Sequence, residues 1–134
     1  MDTLRLPAKM KSLEAFRTFV REKAVVSGVS QDLVPKIELV LEEILTNQVF
    51  HAYRGGRGDA EIHCSVGKDG AFCIRFADWG PPFDPLKQPA PDVSLPLEER
   101  KPGGVGIYLT KHMASNLEYR RENDRNVLTA HFKG

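Results

Sequence analysis

The sequence predicts an α+β two-layer sandwich, in which three helices cover one face of a mostly antiparallel mixed sheet of about five strands. Residues 36–53 carry apolar side chains three or four positions apart, which is typical of a helix with one buried face. Residues 61–66 and 71–78 alternate between apolar and polar side chains, as in strands that are covered on one side. The order strand, helix, helix, two strands, helix, two strands then favours helices layered on one sheet.

Length and composition predict one domain spanning residues 1–134, since 134 residues and a 41% hydrophobic fraction suit a single core. Lys and Arg total 19 and Asp and Glu total 18, so the net charge favours neither direct nucleic-acid binding nor a membrane partner. No apolar run approaches the roughly 18 residues of a membrane span, and the first residues lack the apolar segment of a signal peptide. We therefore expect a cytoplasmic protein.

The first half of the chain is predicted to contain a short strand and two helices. The strand covers residues 3–7, and the first helix runs from about 13 to 27, capped by Ser12 and stopped by Gly28. The second helix begins near Val34, with Pro35 in its first turn. Its buried stripe is predicted to comprise Ile37, Val40, Leu41, Ile44, Leu45 and Val49.

The two strands after this helix are predicted to form a hairpin with a defined register. Its inward pairs are Ile62–Phe76, Cys64–Ile74 and Val66–Phe72. This register needs a loop of odd length, which residues 68–70 supply as a type I turn with Gly70 in the left-handed region. Cys64 then faces the core and Cys73 the other face, so no disulfide is expected between them.

The second half of the chain is predicted to end in a third helix and a second hairpin. The helix covers residues 104–116, and the strands 116–120 and 126–132 flank a polar turn at 122–125. Residues 54–58 form an exposed glycine-rich loop, for which a plain linker is favoured over a phosphate-binding role.

Three polar or glycine-rich segments stand out as candidates for function. Glu43, Asn47 and His51 are four residues apart, a spacing that aligns side chains along one side of a helix. On the helix alone, a solvated polar side explains them equally well. Downstream, the sequence Asp78-Trp79-Gly80 closes a strand and is followed by Phe83, and a Gly103-Gly104-Val105-Gly106 motif opens the third helix.

The motifs E-x-x-x-N, D-x-G and G-G-x-G, in this order, resemble the N, G1 and G2 boxes of the GHKL ATPases. Within that superfamily the chain is most similar to the small anti-sigma-factor serine kinases, and the resemblance covers nearly the whole sequence. It implies the GHKL, or Bergerat, ATP-binding fold with ATP and Mg²⁺ as cofactors. It also makes the proline-rich residues 81–103 an ATP lid, where a simple connector is the alternative.

The resemblance assigns roles to individual residues. Asp78 accepts a hydrogen bond from the adenine amino group, Gly80 allows close approach of the base, and Asn47 binds Mg²⁺. Glu43 matches the general base that takes a proton from a serine or threonine hydroxyl. The remaining expected nucleotide contacts are Phe83, Gly103, Gly104, Val105 and Gly106. Arg100 and Lys101 precede the glycine motif and are expected either to add positive charge near the phosphates or to be solvated lid residues. His51 also matches a position bordering the site, although a core histidine is the preferred interpretation.

The same resemblance implies partners for the protein. Anti-sigma kinases sequester a sigma factor and phosphorylate a STAS-domain anti-anti-sigma protein, commonly as homodimers. An alternative is a regulator in which ATP only sets the partner-binding surface, without catalysis. One departure affects the lid, because Pro82 replaces the second glycine of the superfamily's D-x-G-x-G motif.

Overall fold

The computed structural model of the chain describes residues 2–52, 58–87 and 110–133, with the backbone alone at 51 and 52. Its strands are β1 (Thr3–Pro7), β2 (Asp59–Val66), β3 (Phe72–Asp78), β4 (Asn116–Glu122) and β5 (Arg125–Phe132). Its helices are α1 (Leu13–Val26) and α2 (Val34–Asn47), and α2 continues into a π turn at Gln48–Ala52. Residues 110–113 are also helical, and the rest of the predicted third helix lies outside the described residues.

The five strands form one sheet in the order β1-β2-β3-β5-β4. Every neighbouring pair among these strands is antiparallel. The buried side chains of the three central strands join those of α1 and α2 in one hydrophobic core. The predicted α+β fold is therefore confirmed, and within the described part of the chain the sheet is purely antiparallel.

The helices bury the faces that the sequence periodicity predicts. α1 buries Phe16, Val20 and Ala24. Five of the six stripe residues predicted for α2 are buried, and these are Ile37, Val40, Leu41, Ile44 and Leu45. The sixth prediction was wrong, because Val49 is only half-buried. The π turn that follows Asn47 changes the helical period, and Gln48 faces inward at 7% exposure instead.

The helix ends agree with the sequence except at one cap. Gly28 ends the α1 segment with φ at +75°, and α2 starts at Val34 with Pro35 in its first turn, both as predicted. The prediction that Ser12 caps α1 was wrong, because the Ser12 side chain makes no capping hydrogen bond. Ser12 closes a 3₁₀ turn, Met10–Ser12, so its backbone is already helical instead of extended as in a typical N-cap. No described helix is long and apolar enough to cross a membrane.

The hairpin between β2 and β3 has the predicted register. Ile62 pairs with Phe76, Cys64 with Ile74 and Val66 with Phe72. The Gly67 N–H donates to the Ala71 carbonyl over 2.9 Å, which leaves a three-residue loop, and Gly70 within it has φ at +83°. The predicted burial of Val66 was wrong, because this residue is 52% exposed and lines an open cleft with Val26 at the end of the strand.

The two cysteines are free thiols on opposite faces of β2 and β3, as the register predicted. Cys64 is 4% exposed and lies in the core. Burial raises the pKa of its thiol to about 12, so the thiol stays protonated near neutral pH.

The second hairpin is also confirmed, with a tighter turn than predicted. β4 and β5 pair up to Glu122 and Arg125, so the turn itself consists of two residues. Asn123 and Asp124 have φ at +53° and +60°, as a type I′ turn requires. Asn and Asp tolerate this left-handed conformation better than other non-glycine residues.

Replacing Gly70 with alanine tests the turn that sets the β2–β3 register. An added Cβ meets nothing within 4 Å, so the cost comes from the left-handed backbone alone. We expect Gly70→Ala to lower the free energy of unfolding by about 1 to 2 kcal/mol in urea denaturation. Gly70→Asn should cost less, because asparagine tolerates this conformation. An alanine variant as stable as the wild type would contradict this role of the turn.

Candidate active site

A pocket lies where the end of α2 meets the ends of β3, β4 and β5. Its apolar lining consists of Ile44, Phe76, Phe83, Pro85 and Leu128. Its polar lining consists of Asn47, Gln48, Asp78, Tyr119 and Asn126. The pocket thus combines flat hydrophobic walls with a few hydrogen-bonding groups, as small-molecule sites commonly do.

Asp78, the last residue of β3, is the buried carboxylate of this pocket, with 6% exposure. Its Oδ1 accepts hydrogen bonds from the Gly80 N–H (3.0 Å) and from Asn126 Nδ2 (2.9 Å). Its Oδ2 accepts one from Gln48 Nε2 (3.2 Å). A carboxylate can accept about four hydrogen bonds, so these three donors leave capacity for a ligand donor.

Asn126, at the start of β5, holds the turn that follows Asp78. Its Oδ1 accepts hydrogen bonds from the Phe83 N–H (3.1 Å) and from the Tyr119 hydroxyl (2.5 Å). Its Nδ2 donates to Asp78 and to the Pro81 carbonyl (2.9 Å). The side chain is buried, and one amide therefore fixes three points of the segment from 78 to 83.

Arginines from three strands hold the outer side of the same turn. Arg121 donates to the Gly80 carbonyl over 2.7 Å. The guanidinium groups of Arg5 and Arg125 lie 4.0 Å and 6.0 Å from the centroid of the Trp79 ring, within the range of cation–π contact. The D-x-G segment is therefore fixed from β1, β4 and β5 together.

α2 contributes the two polar residues of the predicted E-x-x-x-N motif. Asn47 lines the pocket at the point where α2 passes into the π turn. Glu43 lies one helical turn earlier and is half-buried. Burial, and to a lesser extent the neighbouring Glu42 carboxylate, raises the pKa of the Glu43 carboxyl above its ordinary value. A raised pKa suits a group that must take up a proton near neutral pH.

The structure brings together four of the predicted nucleotide-site residues: Asn47 and Asp78 in the polar lining, Phe83 in the apolar lining, and the buried Gly80 beside Asp78. The side chain of His51 lies outside the described residues. The same holds for Arg100, Lys101, Gly103, Gly104, Val105 and Gly106, so the phosphate-binding part of the site stays a prediction. Of the predicted lid, residues 81–87 are described and include a 3₁₀ turn at Pro85–Lys87.

Sequence reasoning missed three polar residues of the pocket: Gln48, Tyr119 and Asn126. Two of them carried a usable signal. Gln48 follows Ile44 by four residues, which places an amide on the apolar stripe of α2. Asn126 precedes Leu128 and Ala130 at alternating positions of β5, which places another amide on the inward face of a strand. A polar residue at an apolar position often marks a site, because its burial requires a partner.

The described residues fit the cofactors that the motifs imply. A buried carboxylate between aromatic walls suits an aminopurine base, which offers a donor at its edge and a flat apolar face. Asn47 offers a neutral amide oxygen, a hard ligand suited to Mg²⁺. The part of the chain that the structure describes contains no group of three or more His, Cys, Asp or Glu side chains able to hold a metal. Mg²⁺ needs no such cage, because it keeps several waters and binds phosphate oxygens.

Comparison with known proteins identifies the family. A model of the histidine kinase-like ATPase domain matches residues 6–132. The serine/threonine-protein kinase BtrW of Bordetella bronchiseptica is 32% identical over 129 residues, which cover 96% of this chain and 90% of BtrW. The serine-protein kinase RsbW of Bacillus cereus strain AH187 is 26% identical, over 93% of this chain and 80% of RsbW.

A solved structure supports the same fold. The RsbU and RsbW domains of a Mycobacterium tuberculosis protein superpose with a TM-score of 0.65 at 14% identity. The match covers 99% of this chain, which spans about a third of that longer protein (32%). The chain therefore belongs to the histidine kinase-like ATPase family. Within that family it groups with the serine/threonine-protein kinases RsbW and BtrW, as its motifs predicted.

Replacing Asn126 tests whether this one amide holds the site together. We expect Asn126→Ala to lower the free energy of unfolding by about 1 to 3 kcal/mol, because it leaves buried partners unsatisfied. The matched control is Asn116→Ala, since the Asn116 side chain is exposed and donates a hydrogen bond to the exposed Glu118. The control should change stability by less than about 0.5 kcal/mol in urea denaturation. Equal effects of the two variants would contradict a special role for Asn126.

The titration of Glu43 can be measured by NMR of its side-chain carboxyl carbon. We expect a midpoint above about 4.3, the value of an unperturbed glutamate. The carboxylate form, which could act as a base, is then lost earlier than in an ordinary glutamate as the pH falls. Glu42→Gln should lower the midpoint only partly, because burial is the larger cause of the shift. A midpoint at or below the unperturbed value would contradict the described environment.

Proposed function

We propose that the protein is an ATP-dependent serine/threonine kinase of the anti-sigma-factor type. It phosphorylates a STAS-domain anti-anti-sigma protein and sequesters a sigma factor. The observation that carries this proposal is the convergence of Asn47 and Asp78 on one pocket, with Glu43 a single helical turn from Asn47. We assign Asp78 as the base-binding group, Asn47 as the metal ligand and Glu43 as the general base, which are parts that phosphoryl transfer requires.

At the base-binding end, the Asp78 carboxylate accepts a hydrogen bond from the adenine amino group. Phe83 and Phe76 cover the faces of the purine within the apolar lining. Gly80 has no side chain and is proposed to allow close approach of the base, while the hydrogen bonds of Asn126 hold the turn in place before the ligand arrives. A preformed site of this kind loses little conformational entropy on binding.

At the metal end, Asn47 supplies an oxygen to Mg²⁺, which neutralises the phosphate charge and orients the transferred group. The glycine motif at 103–106 is proposed to bind the phosphates, since it precedes the third helix that the sequence predicts. Arg100 and Lys101 are proposed to add positive charge there.

Glu43 is proposed as the general base. Its carboxylate takes the proton from the serine or threonine hydroxyl of the partner, or orients that hydroxyl, as the phosphoryl group is transferred. Because one helical turn rises about 5.4 Å, Glu43 stands one turn from the proposed metal ligand Asn47. Its raised pKa makes it a stronger proton acceptor than an exposed glutamate.

The partners are proposed from the family. The relatives RsbW and BtrW are named as serine or serine/threonine kinases, and their similarity extends over most of this chain. The same proposal includes a homodimer, a single domain over residues 1–134 and a lid over residues 81–103. It also places the protein in the cytoplasm, since ATP is an intracellular nucleotide.

The decisive experiment is transfer of labelled phosphate from Mg²⁺-ATP to a STAS-domain protein encoded in the same genome. We expect Glu43→Gln to reduce the transfer rate by about a hundredfold or more, because general-base catalysis contributes about that much. Glu42→Gln is the matched control, since Glu42 is the neighbouring glutamate of α2 and its carboxylate lies 3.7 Å from the Arg17 guanidinium. It should keep near-wild-type activity.

Two outcomes would change the proposal. Full activity of Glu43→Gln would remove Glu43 from the mechanism. If the wild type bound both ATP and the partner without transferring phosphate, the protein would be a nucleotide-gated binding regulator instead of a kinase.

A further inference from the structure

Gln48 is a buried pocket residue that the motifs leave without a role. It is the first residue of the π turn and lines the pocket beside Asn47, with only 7% of its surface exposed. Its Nε2 donates to Asp78 Oδ2 over 3.2 Å. Its Oε1 is buried and accepts no hydrogen bond from any described residue.

The orientation of this amide is fixed by Asp78. The opposite orientation would place the amide oxygen against a carboxylate oxygen, and two acceptors in contact repel each other. The nitrogen therefore faces Asp78, and the oxygen stays without a donor. A buried acceptor without a partner is destabilising, so a bound group that carries an N–H would be favoured at this point.

Two acceptors, Asp78 Oδ2 and Gln48 Oε1, therefore belong to adjacent side chains that both line the pocket. They belong to groups that are themselves hydrogen-bonded to each other, so they lie close together. A primary amino group carries two hydrogens that diverge from one nitrogen, and it can satisfy one acceptor with each. The 6-amino group of adenine has this character, whereas a 6-oxopurine presents an acceptor at the same position.

We propose that Gln48 is a second base-reading residue, whose Oε1 accepts one hydrogen of the adenine 6-amino group while Asp78 accepts the other. This inference rests on the proposed binding of ATP at this pocket. Gln48, from the helical layer, would then determine base specificity together with Asp78, the last residue of β3. Both hydrogens of the amino group are then read, and neither can be replaced without loss.

A series of adenine nucleotides tests this arrangement on the wild-type protein. The probes are ADP, N6-methyl-ADP and purine riboside 5′-diphosphate, which carry two, one and no amino hydrogens, each titrated calorimetrically with Mg²⁺. We expect the single methyl group to weaken binding about tenfold, the effect of one lost hydrogen bond. The nucleotide without the amino group should bind more weakly still.

Gln48→Met separates base reading from simple support of Asp78, because methionine keeps the volume and removes the acceptor. In this variant the penalty for N6-methylation should fall to less than about twofold, since no acceptor is left unpaired. Discrimination against the amino-free nucleotide should persist through Asp78. Gln31→Met, at an exposed position in the turn before α2, is the matched control and should keep the wild-type pattern.

The outcomes distinguish the inference from the proposed function. Equal binding of ADP and N6-methyl-ADP by the wild type overturns the inference, even if the variant fails to fold. An unchanged methylation penalty in Gln48→Met also overturns it, because the cause would then be the size of the methyl group. No binding of ADP by the wild type would instead overturn the nucleotide site itself, and the inference with it.

Discussion

The hydrogen bond between Asn126 and Asp78 is the interaction on which the rest of the site depends. The two residues are direct neighbours in the β3–β5 register, and both are 6% exposed. Hydrogen bonds are stronger in a buried setting, and an unsatisfied member is correspondingly costly. The network is therefore stable only when complete, which makes the turn after β3 a rigid part of the sheet.

The pocket forms where side chains from the sheet and from the helical layer both contact the Asp78 carboxylate. The sheet supplies Asp78 and its supporting amide, while the helical layer supplies Gln48 and Asn47 from the end of α2. The π turn matters here, because it follows Asn47 directly and begins with the residue that bonds to Asp78. Irregular helical turns of this type occur frequently at functional sites.

Most of the fold could be predicted because it follows from periodicity. The buried stripe of α2 and the register of the β2–β3 hairpin are local patterns, and the sequence displays them directly. The errors arose where the backbone departs from a regular helical period, as at Val49 within the π turn, or where no other element covers the strand, as at Val66 beside the open cleft. Ser12 failed as a cap because a 3₁₀ turn precedes the helix.

The site could be predicted only in part, for a related reason. Motif spacing indicated Asp78 and Asn47, but no local pattern reveals that Asn126 lies 2.9 Å from a carboxylate 48 residues earlier in the chain. Long-range partners of this kind depend on the completed sheet. Their only trace in the sequence is an amide at a position where an apolar residue would otherwise be expected.

Trp79 gives the protein an optical property of its own. It is the only tryptophan in the sequence, and it lies between Asp78 and Gly80 with the Arg5 guanidinium over its ring. All indole fluorescence of the chain therefore originates at the turn that follows β3, beside the pocket. Emission from an unlabelled sample reports the local environment of that turn, so events at the pocket can be followed in real time without attaching a dye.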